Sequence, residues 1–207
     1  MKFETQTHYQ RFMLGIICGL LPVACLLFGV LGELRGINYD GWYESISATY
    51  FANSNSCMIG ALSLCAFFLL TYKGYDLGDR AYTLAAAVSA ILIIAFPCAA
   101  APMDYVGLVA CPIKVSDFIH MVAAIVLFGS FALMTLFQFT KGKHKRRNAI
   151  YRTCGIIMLV SMAVVGIGTV FGFPGYTTML CETVMLEAFA VAWIIKSGVF
   201  PQMEVSA

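Results

Sequence analysis

The chain has 207 residues, of which 60% are hydrophobic and only 12% are charged, whereas roughly 25% of the residues of a soluble domain are charged. This composition excludes a soluble globular protein, and the length fits a single domain over residues 1–207. The net charge of +2 is too small to indicate a nucleic-acid partner by itself.

Six long apolar stretches follow one another along the chain, and Gly or Pro residues separate them. Each is close to or above the roughly 18 residues that favour a membrane-spanning helix over a buried core helix. The first is longer than the roughly 7–15 apolar residues of a secretory signal, so we expect it to be retained. We therefore predict an all-α polytopic membrane protein with six transmembrane helices at residues 12–31, 52–71, 81–100, 115–139, 149–171 and 177–195.

The basic residues predict the orientation of these helices, because cytoplasmic loops are enriched in Lys and Arg. With the N-terminus inside, 11 of the 13 basic residues lie on the cytoplasmic side, and only Arg35 and Lys114 lie outside. We therefore predict a protein of the inner or plasma membrane with both termini in the cytoplasm. The run KGKHKRR (141–147) is interpreted as a topology anchor, with binding of anionic lipid headgroups as the alternative. It contains no phosphate-binding loop or stacking platform, so we expect no nucleic-acid partner.

The eight cysteines include no C-x-x-C pair, which excludes a thioredoxin-like motif and a zinc ribbon. Cys98 and Cys111 bracket the loop between spans three and four, which the charge pattern places in oxidising surroundings. We predict a disulfide between them, worth about 3 kcal/mol on the chain-entropy model. The alternatives are two free thiols, or Cys57 or Cys181 as the partner.

Ionisable residues within spanning helices are costly and usually face a cavity or a partner. Span four begins with Asp117 and His120, which share a helix face, and span six contains Glu182 and Glu187. At a rise of about 1.5 Å per residue, His120 and Glu182 each lie about 8 Å from the start of their helix. Glu182 is thus expected at the depth of His120, whereas Glu187 points about 140° away from Glu182.

The outer loop before span two carries the segment GWYESISATYF (41–51), which is rich in hydroxyls and aromatic rings. Ser45 or Ser47 suits the N-cap of the following helix, and the aromatic residues suit the belt at a membrane interface. As ligand-binding residues we predict Trp42, Tyr50, Glu182 and Glu187.

These polar residues support three hypotheses. Ser45 or Ser47, His120, and Asp117 or Glu182 would supply the nucleophile, the base and the orienting acid of acyl-transfer chemistry, although no G-x-S-x-G elbow is present. Asp117, His120 and Glu182 could instead bind a divalent metal as a cofactor. In the third hypothesis the same residues form a hydrogen-bonded cluster that fixes helix packing or lines a ligand pocket.

Six segments occur in the order SISATYF, LLTYKGYDLGDR, AFPC, DFIHMVAA, KRRNAIYRTCG and ETVMLEAFAVAWIIKSG. In this order the chain resembles an uncharacterised bacterial and archaeal family of six-helix membrane proteins of unknown function. The architecture is more distantly similar to the membrane hydrolase superfamily of alkaline ceramidases and adiponectin receptors, whose C-terminal histidine pair this sequence lacks. The family resemblance implies functional roles for Ser45, Ser47, Tyr50, Asp76, Asp79, His120 and Glu187.

The function predicted from these patterns is binding of a lipid or other amphipathic small molecule in a polar pocket of the outer-leaflet half. Processing of that molecule by a membrane hydrolase is one alternative. A transporter or channel subunit, in which Glu182 and Glu187 line a continuous polar path, is another. The last is a non-enzymatic membrane scaffold with a sealed interior.

Overall fold

The computed structural model describes residues 2–72, 74 and 76–199, with side chains from His8 onward. Over this part of the chain the fold is all-helical, which confirms the predicted class. A short antiparallel ladder joins β1 (Tyr105–Val106) to β2 (Cys111–Pro112) in the loop before α4. The helices are α1 (Lys2–Glu33), α2 (Asn55–Thr71), α3 (Leu77–Ala95), α4 (Ile113–Leu133), α5 (Lys145–Phe171) and α6 (Tyr176–Lys196).

Five helices among the described residues, all except α2, are long and apolar enough to cross a membrane. The remaining helix, α2, is equally apolar in character but has only 17 residues. A 3-10 helix (Ser47–Phe51) precedes α2, so α2 begins three residues later than the predicted span. At the other end of the bundle α4 continues into a π turn (Met134–Gln138) and a 3-10 turn (Phe139–Lys141).

The six helices form a closed ring, because each packs against its neighbour in sequence and α6 packs against α1. A Cβ atom at Gly15 of α1 would lie 2.7 Å from Ile194 Cγ1 of α6, so this close approach requires glycine. The rings of Phe131 and Phe189 stack in the middle with centroids 3.5 Å apart. One end of the ring carries the loops 34–54, 96–112 and 172–175, and we call it the loop-rich end; the opposite end, with Lys141 to Arg147, is the basic end.

The two ends of α3 differ from the prediction, and each has a local cause. The helix starts at Leu77 because the Asp76 carboxylate accepts a 2.9 Å hydrogen bond from the Asp79 amide, which is an N-cap interaction. Asp76 is therefore the cap of α3, whereas Asp79 is fully buried. The helix stops at Ala95 because a residue before proline avoids the helical region, and Phe96, before Pro97, has φ −124° and ψ 84°.

Candidate ligand pocket

A cavity of about 650 Å³ lies between α4, α5 and α6 at the loop-rich end of the ring. Its rim includes Ile125 of α4 and Val170 of α5, which are 59% and 78% exposed, so the cavity opens onto the outer surface of the bundle. The volume falls within the roughly 300–1,000 Å³ typical of small-molecule sites. Its polar lining residues are Ser45, Ser47, Cys98, Asp117, His120, Thr169, Thr178 and Glu182.

The cavity brings together side chains that are distant in sequence. All five residues predicted for catalysis line it, namely Ser45, Ser47, Asp117, His120 and Glu182. The sequence did not predict Cys98, Thr169 or Thr178 at the cavity, because none of them belongs to a sequence motif and only the packing of the helices brings them there.

Three of the four predicted ligand-binding residues do not line this cavity. The Trp42 indole nitrogen donates a 2.8 Å hydrogen bond to Glu33 Oε2, and its ring packs against Gly29 of α1. Tyr50 packs its ring against Phe51. Only Glu182 of the predicted set lies at the cavity.

Glu187, the third of these residues, faces the other side of α6. Its Oε2 atom lies 3.5 Å from the position that a Cβ at Gly19 of α1 would occupy. This placement agrees with the angle of about 140° that separates it from Glu182 along the helix. The two glutamates therefore do not share a site.

Glu182 holds the serine-containing loop against α6. Its side chain is buried, and its Oε2 atom accepts a 2.6 Å hydrogen bond from the Ile46 amide, with the Ser47 amide as a second donor. A backbone hydrogen bond of 2.9 Å from Met179 to the Glu44 carbonyl reinforces the contact. The sequence predicted Glu182 at the depth of His120, and both residues line the cavity, where the Glu182 carboxyl group fixes the loop.

The two serines differ in what their hydroxyls do. Ser45 Oγ accepts a 2.9 Å hydrogen bond from the Ala48 amide and so stabilises the turn that leads into the 3-10 helix. Neither serine is the N-cap of α2 as predicted, because the 3-10 helix intervenes and Ser54 takes that position. The Ser47 side chain lines the cavity and has no hydrogen-bond partner among the described residues. Ser47 is consequently the serine whose hydroxyl remains available to a ligand.

The orientation of His120 follows from the end of α3. Because Pro97 interrupts that helix, the carbonyls of Phe96 and Pro97 lack helical partners. Ser116 Oγ donates to the Pro97 carbonyl at 2.7 Å, and His120 Nδ1 lies 2.9 Å from the Phe96 carbonyl. A carbonyl can only accept, so Nδ1 carries the hydrogen and Nε2 of the neutral ring is the basic nitrogen.

Asp117 fixes the loop between α3 and α4 by accepting a 2.8 Å hydrogen bond from the Ala99 amide. It does not orient His120, whose Nδ1 is held by the Phe96 carbonyl instead. Within residues 8–72, 74 and 76–199 neither serine hydroxyl forms a hydrogen bond to the imidazole. The residues of the predicted triad thus surround one cavity without forming a connected triad, and their catalytic role stays a prediction.

The predicted metal site is not supported by the structure. No group of three or more His, Cys, Asp or Glu side chains in the described part of the chain is arranged to hold a metal ion. The physical reason is that Asp117, His120 and Glu182 each have a hydrogen bond to a different backbone group. Each of these side chains is thus fixed, through one polar atom, to a different stretch of the backbone.

The predicted disulfide between Cys98 and Cys111 is not formed, because all eight cysteines are free thiols. Cys98 lies at the cavity, whereas Cys111 is held in the β ladder opposite Val106. Burial raises the pKa of the Cys98 thiol to about 12, and the negative charge of Glu182 adds to the shift. Since the thiolate is the reactive form, Cys98 is a poor nucleophile at neutral pH.

At the basic end, cations lie on aromatic rings, an arrangement that stabilises a partly desolvated charge. The buried Arg11 guanidinium sits 5.5 Å from the Tyr72 ring centre and donates a 3.2 Å hydrogen bond to the Tyr72 hydroxyl. Lys196 Nζ lies 5.2 Å from the centre of the Phe139 ring. The two ends of the bundle thus differ in charge: acids at the cavity and cations at the opposite end.

No protein family model, curated protein or solved structure matches the chain, so the function proposed below rests on the cavity and its surroundings.

Proposed function

We propose that this protein is a multi-pass membrane protein that binds a lipid or other amphipathic small molecule in the cavity between α4, α5 and α6. The observation that carries the proposal is the division of the cavity into two chemistries. Its lining combines apolar side chains, among them Ile125, Phe128, Met162 and Val170, with hydroxyls, His120 and the two acids. An amphipathic molecule matches both parts at once.

The topology we infer has six crossings with both termini on the cytoplasmic side. Helix α2 extends about 25 Å at 1.5 Å per residue, close to the roughly 30 Å thickness of the hydrocarbon core, and small mismatches cost only fractions of a kcal/mol per Å. It packs between α1 and α3, so it shares their depth. The cationic segment 141–147 then lies in the cytoplasm, which places the cavity in the outer-leaflet half.

A ligand can reach this cavity sideways from the bilayer. The rim residues Met121, Ile125 and Val170 are exposed on the outer surface of the bundle, where lipid chains surround a membrane protein. Transfer of an apolar chain from lipid to this rim requires no dehydration of the chain. The polar lining residues would then select the headgroup, because the polar groups of a pocket fix orientation and specificity.

A cavity-filling substitution tests this proposal. A Cβ atom at Gly166 of α5 meets no atom within 4 Å, and Gly166 lines the cavity, so Gly166→Trp introduces an indole without a backbone clash. The indole ring would project into the cavity and reduce the volume left for a ligand. The matched control is Gly60→Trp, since Gly60 of α2 is also helical and open but does not line the cavity.

The measurement is photolabelling of the full chain in lipid nanodiscs by an amphiphile with a diazirine in its acyl chain, followed by peptide mapping. We expect labelling concentrated on the cavity-facing parts of α4 and α5, reduced at least about tenfold in Gly166→Trp and unchanged in Gly60→Trp. Equal labelling of all lipid-exposed helices, or equal labelling of the two variants, would contradict a specific pocket.

A second candidate function, acyl hydrolysis, is favoured by the fixed tautomer of His120. With Nδ1 bound to the Phe96 carbonyl, Nε2 can take the proton of Ser47 as the Oγ atom bonds to an acyl carbon. The same proton then passes to the leaving group as the acyl bond breaks, and water releases the acyl chain by the reverse sequence. Both groups line one cavity, but the hydrogen bond between them would have to form when substrate binds.

Turnover of a chromogenic long-chain ester tests this chemistry. Ser47→Ala and His120→Ala should each reduce hydrolysis at least about a hundredfold, the usual contribution of a nucleophile or a general base. Ser45→Ala is the comparison, because the Ser45 hydroxyl already accepts a hydrogen bond from the Ala48 amide. If both Ser47→Ala and His120→Ala retain turnover, hydrolysis by these residues is excluded.

A further inference from the structure

The charge of the cavity lining restricts what the occupant can be. Of the described residues that line the cavity, none is Lys or Arg, and two are the acids Asp117 and Glu182. A phosphate or carboxylate headgroup that leaves water needs a cation or several donors to replace its hydration. This lining offers mainly acceptors and hydroxyls instead.

The hydrogen-bonding groups of the cavity lining also disfavour an anionic headgroup. The amides of Ile46 and Ala99 already donate to Glu182 and Asp117, so these donors are not available to an anion. Each carboxylate has about four lone-pair sites, more than the amides that donate to it, and His120 retains Nε2 because Nδ1 is held by a carbonyl. The groups left for a ligand are therefore predominantly acceptors.

Lys114 is the basic residue nearest in sequence, one turn before Asp117 on α4. Its side chain is exposed and is not part of the cavity lining. At an exposed position, solvent and salt screen its charge, so it compensates poorly for two acids inside the cavity. It must nevertheless be tested, because a long side chain can bend toward a headgroup.

From this lining we infer that the occupant is an amphiphile with an uncharged, hydroxyl- or amide-bearing polar end, and that phosphate-bearing lipids are rejected. The inference rests on the proposed function and specifies its ligand class. The donors of such a headgroup match the acceptors of Glu182, Asp117 and His120, and its acyl chain matches the apolar rim. A phosphate would instead meet two acids without a compensating cation.

Two probes that differ only in the phosphate isolate this effect. Monooleoylglycerol and its phosphate ester, lysophosphatidic acid with the same chain, would compete with the photoreactive amphiphile on the full chain in zwitterionic nanodiscs. We expect the phosphate ester to compete at least about tenfold more weakly, a difference of 1.4 kcal/mol. The same comparison in Lys114→Ala should show an unchanged ratio.

A cation placed at the cavity should reverse the preference. Thr169 is an exposed residue in the last turns of α5 that lines the cavity, so Thr169→Lys adds a flexible ammonium group there. Thr169→Met is the control, with a long side chain but no charge. We expect Thr169→Lys to improve competition by the phosphate ester at least about tenfold relative to Thr169→Met.

The possible outcomes separate the two proposals. Equal or stronger binding of the phosphate ester to the unmodified protein would overturn the inference about the headgroup and leave the pocket proposal standing. Phosphate binding that disappears in Lys114→Ala would overturn it as well. If neither probe binds better than to Gly166→Trp, the pocket proposal fails, and the headgroup inference fails with it.

Discussion

Removal of the Glu182 carboxyl group should release the loop that carries Ser45 and Ser47. The group is 7% exposed and accepts from the Ile46 amide at 2.6 Å, and Ile46 itself is buried. In Glu182→Ala the Ile46 amide would lose its acceptor without gaining access to water. The consequence should be both a less stable bundle and a more mobile loop.

The size of the effect follows from the number of amides involved. A buried amide left without an acceptor costs about 1–3 kcal/mol. The Ser47 amide, the second donor to Glu182, is half-buried and can bond to water in the cavity, so it should add less. We expect a total of about 2–3 kcal/mol, or a decrease in Tm of about 5–10 °C for a chain of this length.

The assay is thermal unfolding of the purified full chain in a neutral detergent, with proteolysis of the 34–54 loop as a second measurement. Glu182→Gln retains an oxygen acceptor and should lose less than half as much. Glu187→Ala is the matched control on the same helix, because Glu187 has no hydrogen-bond partner among the described residues. If Glu182→Ala and Glu187→Ala melt at the same temperature, the anchoring role of Glu182 is refuted.

Two further predictions concern groups outside the apolar helices. The Lys141 ammonium group and the Asp79 amide hold the pKa of Asp76 below its usual value. The ionised Asp76 therefore stabilises the folded protein above the usual pKa, and this stabilisation is lost as the pH falls through the folded-state pKa. Asp76→Asn should lower Tm at pH 7 but not at strongly acidic pH, as a pH series of melting curves would show. The pKa of Cys98 is about 12, so iodoacetamide should alkylate this thiol at pH 8 on the order of a thousandfold more slowly than an exposed thiol. Site-resolved mass spectrometry measures the rate. Rapid labelling of Cys98 would show that the thiol is not buried as described.

The helices could be predicted from sequence because each is encoded locally. A run of about twenty apolar residues is visible without knowledge of its neighbours, and all six predicted runs coincide with helices in the structure. The boundaries that failed depend on single interactions. The sequence around residue 76 contains two aspartates, and only the backbone geometry shows that Asp76 caps and Asp79 is buried.

Some of the residues that line the cavity could be predicted, but their hydrogen-bond partners could not. The sequence identified Asp117, His120 and Glu182, because ionisable groups in apolar helices are costly to bury and usually face a cavity or a partner. Their actual partners are the backbone groups of Ala99, Phe96 and Ile46, which carry no sequence signal because every residue has an amide and a carbonyl. These side chains therefore form hydrogen bonds to the main chain and not, as expected, to one another.

The cysteines illustrate the same limit. Cys98 and Cys111 bracket one loop and were reasonable disulfide partners by spacing. The short β ladder that holds Cys111, and the turn at Gly107 with φ +77°, are not evident from composition. In contrast, Cys18 and Cys65, which are 47 residues apart in sequence, approach to 3.5 Å between sulfur atoms, a contact that only the packing of α1 on α2 reveals.

The contact between Glu182 and the loop before α2 also has a consequence for synthesis. The loop precedes α2 and its anchor is on α6, so this contact can form only after all the helices from α1 to α6 have been synthesised. A nascent chain before that stage has an open ring and an unsatisfied Ile46 amide. The loop is thus anchored by the same helix that closes the ring, since α6 also packs against α1.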